Sequence, residues 1–463
     1  MKHRVRAIVI LAALMLMCPI IRAESMPEKQ ILWRFDPADL RSVGGGTLCI
    51  LSVSPSGKYI AAADRSGMNP AAHHTADVYN PLGRLPDAIY LFSKEGDHYT
   101  PYKTISIDID DQEELSSLLG GGSELSWNDE EDRIIITGDW GMNSEAMAFI
   151  AQFHTNLYLL DVGDGTIKRL TENEQPCEHC ILPKWTGSDT VCYVRTAREE
   201  VWSNAFCEME INTGSEKKVA DLYCAEGRTS PVLSWERSGE QIYYTVDALD
   251  TQVGFFCTPA GGAEKDARCL IDLFAEFREN EKHPYARALT LCPQGISADG
   301  KWACLNIYDS RVLNKDIPLS DDPQLPQSDP ADAVSTVNGW PWVPCHNVLL
   351  YDLEAERLAD PFTGGPLDPA KVIVTGACFA PDGKSLLCAV FGDGGPWTTA
   401  DYTRASFYRI DLTDSAFNAE KVFETELESS VWFDDGIRLL DDNVLLIPTG
   451  VPPENMVQMI RLK

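Results

Sequence analysis

Short apolar runs recur along the whole chain, separated by clusters of Pro, Asp, Ser, Asn and Gly. Six times an apolar run meets such a turn and is followed by a second strand-like run. The clearest copies are Val53-Ser54-Pro55-Ser56-Gly57-Lys58-Tyr59-Ile60, Ile296-Ser297-Ala298-Asp299-Gly300-Lys301-Trp302 and Phe379-Ala380-Pro381-Asp382-Gly383-Lys384-Ser385-Leu386. Looser copies centre on Trp127, Trp185 and Trp235. Each copy then runs on through a variable loop, a third apolar strand, a polar turn and a fourth strand. In the second copy these are Arg133-Ile134-Ile135-Ile136, then Asn156-Leu157-Tyr158-Leu159-Leu160-Asp161, the turn Gly163-Asp164-Gly165, and Ile167-Lys168-Arg169-Leu170-Thr171. Asp-Gly between such runs is a hairpin signal, because glycine accepts the positive φ of a tight turn.

A four-strand unit repeated at intervals of roughly 50–80 residues predicts a β-propeller. A last unit, around Ile437-Arg438-Leu439-Leu440, Asn443-Val444-Leu445-Leu446-Ile447 and Met456-Val457-Gln458-Met459-Ile460, supplies only three strands. The missing one is expected from Gln30-Ile31-Leu32-Trp33-Arg34-Phe35, which would remove an open edge. The expected fold is therefore all-β: a seven-bladed β-propeller of four-stranded antiparallel blades, closed by an N-terminal strand that joins the last blade. Residues 24–463 read as one domain, with an acidic, Pro-rich insertion from Leu319 to Ala331 and a short acidic helix within Asp108 to Gly122.

The Pro-Asp-Gly-Lys hairpin, the aromatic residue before it and the later apolar-Asp…Gly…Arg-Leu-Thr run resemble the TolB-like branch of WD-repeat β-propellers. Copies one, two, five and six match best; the third and fourth keep Trp and Gly but lose Pro-Asp. The resemblance spans nearly the whole mature chain and implies the fold. It implies little about activity, since that family includes scaffolds, receptors, lyases and the propeller domains of peptidases.

Residues 1–23 read as a secretory signal, with Lys2, Arg4 and Arg6 ahead of an apolar stretch from Ala7 to Met17 and Ile21-Arg22-Ala23 at the cleavage point. The apolar run is short for a membrane span, so the mature protein is expected to be extracytoplasmic: secreted, periplasmic or on the cell surface. Cys18 leaves lipidation open as an alternative. The signal holds four of the 39 basic residues and no acid, so the mature chain sets 35 basic against 70 acidic residues. Such a field disfavours nucleic acid and anionic surfaces.

Thirteen cysteines follow the signal, and Cys192, Cys304 and Cys388 fall inside apolar strand patterns. Most are expected to be buried thiols, with one or two bridges as the alternative. No metal and no cofactor is expected. Cys177-Glu178-His179-Cys180 has suggestive spacing but no matching second pair, and the rings of His73 and His74 diverge in extended chain. Some TolB-like lyases hold a cation through histidines, and the seven histidines of the mature chain do not match that site. A Gly-x-Ser-x-Gly nucleophile elbow is absent from the sequence, and Gly44-Gly45-Gly46 and Gly120-Gly121-Gly122 lack the Lys of a phosphate loop.

Loops joining the second and third strands of each blade gather on one face of a propeller, and here they are long and aromatic. The candidate ligand-binding residues are Asp64, Arg65 and His73 in the first, Asp139 and Trp140 in the second, and Arg195 and Trp202 in the third. Trp340 and Trp342 follow in the fifth, and Asp393 and Trp397 in the sixth. Tryptophan offers flat apolar area and Asp and Arg offer directed hydrogen bonds, a combination suited to a protein, peptide or glycan ligand. The expected function is thus a non-catalytic, monomeric, exported binding propeller. The alternative is a polysaccharide lyase or glycosidase using carboxylates among Asp64, Asp139, Asp309 and Asp393.

Overall fold

The computed structural model describes residues 30–34, 48–64, 88–96, 98–106, 125–137, 155–173, 178–198, 201–224, 232–247, 253–272, 288–308, 335–337, 340–342, 346–359, 367, 373–391, 404–413, 417–426, 437–441, 444–449 and 456–461. Six four-stranded antiparallel sheets are each built from one stretch of chain: residues 48–106, 125–169, 179–222, 232–272, 288–359 and 373–426. These are blades one to six. A further four-stranded sheet closes the ring, combining Arg438–Asp441, Val444–Thr449 and Met456–Arg461 with Gln30–Arg34 from the other end of the chain. Gln30 pairs with Arg461 and Ile31 with Ile460.

The expected seven blades are corrected accordingly: six blades, not seven, are self-contained four-strand units. The physical reason is that residues 438–461 supply three strands, so that this sheet cannot complete itself without the distant Gln30–Arg34 strand. A two-stranded ribbon, Ser335–Val337 with Trp340–Trp342, interrupts the fifth blade between its second and third strands. The acidic insertion Leu319 to Ala331 and the helix expected within Asp108 to Gly122 lie outside the described residues.

The core sits between blades, which explains why the second strands read as unbroken apolar runs. Side chains alternate faces along a strand, so each second strand serves two seams. Ile134 and Ile136 pack with Tyr59, Ile89 and Leu91 of the first blade, whereas Ile135 packs with Val191 and Tyr193 of the third. Cys192 and Val194 then turn to Trp235 and Ile242 of the fourth. Ala303 and Leu305 face Phe255 of the fourth blade, while Trp302 and Cys304 face Val374 and Leu386 of the sixth. Cysteine at 192, 304 and 388 is fully buried and free, acting as a small core residue.

The hairpins of the first, second and fifth blades share one construction. Ser54 Oγ accepts from the Tyr59 amide and Ser297 Oγ from the Trp302 amide, both at 2.9 Å. Asn128 Oδ1 does the same for Arg133 at 2.9 Å. Gly57, Gly300 and Gly383 sit at φ of 71°, 73° and 69°, each donating its amide to a carbonyl three residues back. Glu131 takes that glycine position in the second blade at φ 57°, and its Oε1 accepts the amide of Ser56 in the neighbouring hairpin. A non-glycine residue is retained in left-handed backbone because its side chain joins two blades.

A bulge recurs in the first strand of five blades and of the closing sheet. In each but the fifth blade it adds one residue. There Leu291 opposes Leu305 and Ile296 opposes Ala303, leaving Cys292, Pro293, Gln294 and Gly295 across from Cys304 alone. The outer edge of the third blade is also shielded. Gly261, in a turn of the fourth, donates to Val219 O at 2.7 Å, and Gly262 O accepts from Asp221 at 3.0 Å. Two pairings of this kind blunt an edge strand against association.

Candidate functional site at the seam of the third and fourth blades

An open groove of ≈ 600 Å³ runs along the hairpin-turn face where these blades meet. Lys184, Trp185 and Thr186 enter it from the first strand and turn of the third blade, and Glu208 from that blade's third strand. Trp235, Glu236 and Arg237 enter from the first strand of the fourth. The bulge at Leu182 and Pro183 shifts the pairing register just before Lys184, and Leu182 itself adopts φ 56°. Trp235 Nε1 donates to Leu182 O at 2.7 Å, holding this turn of backbone in place.

The groove is charged in both signs. Lys184 Nζ donates to Glu236 Oε1 at 2.7 Å and Trp235 O at 2.6 Å, and lies 5.0 Å from the Trp235 ring centroid. Glu208 receives Lys217 at 2.6 Å and Arg237 at 3.2 Å. Trp185 is half-buried; its Nε1 donates to Ser126 O at 2.9 Å, and the Arg133 guanidinium lies 5.1 Å from its ring. Arg133 in turn reaches Asp189 at 2.9 Å, so the second blade braces the groove wall.

The hydrogen bond and charge of Lys217, reinforced by Arg237, hold the Glu208 carboxyl below its ordinary value of 4.5. A depressed folded value means that ionised Glu208 stabilises the native state, an effect complete above pH 4.5 and lost as pH falls through the lower folded value. We expect Glu208→Gln to flatten the acid limb of the stability–pH curve, measured by thermal unfolding between neutral pH and the carboxylate range. An unchanged acid limb would remove this linkage. A carboxylate so held is a charge partner and a poor proton donor at neutral pH.

Of the residues expected from sequence, Asp64 ends the strand Tyr59–Asp64 and pairs with Leu48. Arg195 lies within the strand Thr190–Arg198, opposite Ala205, with its guanidinium on Glu216 at 2.8 Å. Trp202 opens the next strand beside exposed Val201, and the Arg198 guanidinium lies 5.7 Å from its ring. Trp340 and Trp342 belong to the ribbon of the fifth blade. Arg65, His73, Asp139, Trp140, Asp393 and Trp397 lie outside the described residues, as do Asp309 and Cys177. His179 and Cys180 are buried at the start of the third blade. Among the described residues no group of three or more His, Cys, Asp or Glu could hold a metal ion.

The groove residues Lys184, Glu208, Glu236 and Arg237 were not singled out from the sequence. Their signal was the drift of the third and fourth copies, where Pro-Asp is lost and charges flank the tryptophan: Lys184-Trp185 and Trp235-Glu236-Arg237.

No protein-family model matches the chain, and no curated protein matches it. Solved structures similar to it are propellers of diverse activity. An oligogalacturonate lyase in complex with manganese is 10% identical, with 90% of each chain covered and a TM-score of 0.49. A prolyl endopeptidase is 9% identical over 89% of this chain and 46% of its own, with a TM-score of 0.45. The Myceliophteria thermophila Cps50 (Swd1) β-propeller domain is 9% identical over 94% of this chain and 100% of its own, with a TM-score of 0.42. The chain is a β-propeller by its own sheet order.

Proposed function

We propose that this propeller is an exported, non-catalytic binding protein that holds a protein or peptide segment in the seam of its third and fourth blades. The observation that carries the reading is the charge pattern of the groove: Lys184 with Glu236 and Arg237 with Glu208 expose opposite charges along one open channel. A peptide offers both signs of charge and backbone groups to such a channel, whereas a neutral glycan offers none to compete for these pairs. The excess of 70 acidic over 35 basic residues in the mature chain draws a segment of net positive charge towards the surface. Export rests on the basic and apolar N-terminal stretch, and N-terminal sequencing of the mature protein tests it.

The test is panning of a random peptide library on the full mature chain, alongside a glycan array, with calorimetry on the selected ligands. Enriched basic peptides should lose at least about tenfold in affinity, roughly 1.4 kcal/mol, on Glu208→Gln/Glu236→Gln, which removes the groove carboxylates they would pair with. They should also weaken with added salt. Arg198→Ala/Trp202→Ala marks the opposite face. The groove is wrong if that variant abolishes binding and Glu208→Gln/Glu236→Gln does not. Binding by glycans alone, or cleavage of a polysaccharide by the purified protein, would overturn the reading altogether.

A further inference from the structure

The seam of the fifth and sixth blades holds a buried set of thiols that the groove does not use. Cys292 and Cys304 lie on adjacent antiparallel strands with their sulfurs 3.3 Å apart. Cys304 donates to Cys292 Sγ, and Cys292 donates onward to Asn306 Oδ1 at 3.3 Å. Cys292 is 2% and Cys304 0% exposed, and Cys388 packs in the same cluster. Closing an S···S contact to a bond of about 2.05 Å needs backbone that can give by more than an ångström. The three-residue bulge supplies it. Cys292 begins the stretch in which Pro293, Gln294 and Gly295 have no partner in the ladder, so it can move without breaking strand pairing on either side.

We propose that Cys292 and Cys304 are a cross-strand disulfide pair, formed when the protein meets a small disulfide such as glutathione disulfide. The Cys292 thiol loses its proton and its sulfur attacks one sulfur of the donor, giving a mixed disulfide and one released thiolate. The Cys304 sulfur, deprotonated in turn, displaces the second donor thiolate from Cys292 and closes the bridge. The two protein thiols lose two electrons and two protons, and the donor disulfide gains them as two thiols. Burial pushes the Cys304 thiol well above its ordinary value, so the second step proceeds as the bulge opens to solvent. The bridge fastens the first strand of the fifth blade at the point where its ladder is weakest.

Tryptic cleavage tests this directly, because Cys292, Cys304, Cys388 and the neighbouring buried Cys378 fall on separate peptides. Cys292 lies on residues 288–301 and Cys304 on 302–311, while Cys378 and Cys388 lie on 372–384 and 385–404. The full chain is incubated with excess glutathione disulfide, unfolded, alkylated and digested without reduction. The expected product is the linked pair 288–301/302–311, two hydrogens lighter than the sum of the free peptides, and absent after reduction. Cys304→Ser should abolish it and Cys388→Ser should leave it. Both peptides recovered singly alkylated or carrying glutathione, or a link to the Cys378 or Cys388 peptide in place of this pair, would overturn the assignment. Because the wild-type digest alone decides, a Cys304→Ser variant that fails to fold does not obscure the result.

Discussion

Replacing Gly383 with alanine should destabilise the protein by about 3 kcal/mol. Two costs coincide there. The residue adopts φ +69°, where a Cβ costs roughly 1–2 kcal/mol against the following carbonyl. That Cβ would also stand 3.0 Å from the Ala298 amide nitrogen and 3.1 Å from Ala298 Cβ. Both atoms belong to the hairpin turn of the neighbouring blade, with no flexible side chain to yield, and overpacking of this kind costs about 1–3 kcal/mol. Two other glycines separate the contributions. Gly300, at φ +73°, would meet only the Ser238 hydroxyl at 3.0 Å, which can rotate away. Gly96, at φ +69°, has nothing within 4 Å and should show the conformational cost alone. Urea unfolding should rank the losses Gly383→Ala, Gly300→Ala, Gly96→Ala. If Gly383→Ala is no worse than Gly96→Ala, the hairpins of the fifth and sixth blades do not pack as closely as the Ala298 contacts require.

This contrast also marks where sequence ceases to be informative. The Gly-Lys turns at Gly57, Gly300 and Gly383 were legible because a positive φ narrows the choice of residue so strongly. The strands were legible because blades bury both faces of their second strands, giving runs such as Ile134-Ile135-Ile136. Glu131 hid the same turn, since a side-chain bond across two blades replaced the usual glycine. The closing pairing of Gln30–Arg34 with Met456–Arg461 was legible because the last unit offers only three strands, whereas the blade count was not, since a three-strand apolar unit reads like one more full repeat. The groove was harder still. Lys184 and Glu236 are 52 positions apart and meet only because adjacent blades place their first strands side by side. The repeat predicts that such seams exist. Which seam carries exposed charge is decided by substitutions that look, along the chain, like decay of the motif.

Trp235→Ala should be the costliest single change in the seam, at about 3–5 kcal/mol, because three supports fail together. The indole is 1% exposed and meets Phe206 edge-on at 4.7 Å between centroids, so truncation leaves a cavity between blades. Its N–H is the donor to Leu182 O, a carbonyl in a bulge whose own residue sits at φ 56°. Its ring also lies under the Lys184 ammonium at the groove wall. Trp235→Phe retains an aromatic ring and removes the N–H, so it should cost the smaller penalty of an unmet buried acceptor, roughly 1–3 kcal/mol. Unfolding measurements on these variants decide whether the clamp or the packing dominates. Equal stability of wild type and Trp235→Phe would show that the Leu182 bulge stands unaided. Trp185 supplies the complementary case: half-buried, it should lose little stability as alanine while weakening any ligand that lies along the groove. A seam that loses stability at 235 and affinity at 185 has its support beneath and its recognition surface above, the arrangement expected of a binding site on a rigid scaffold.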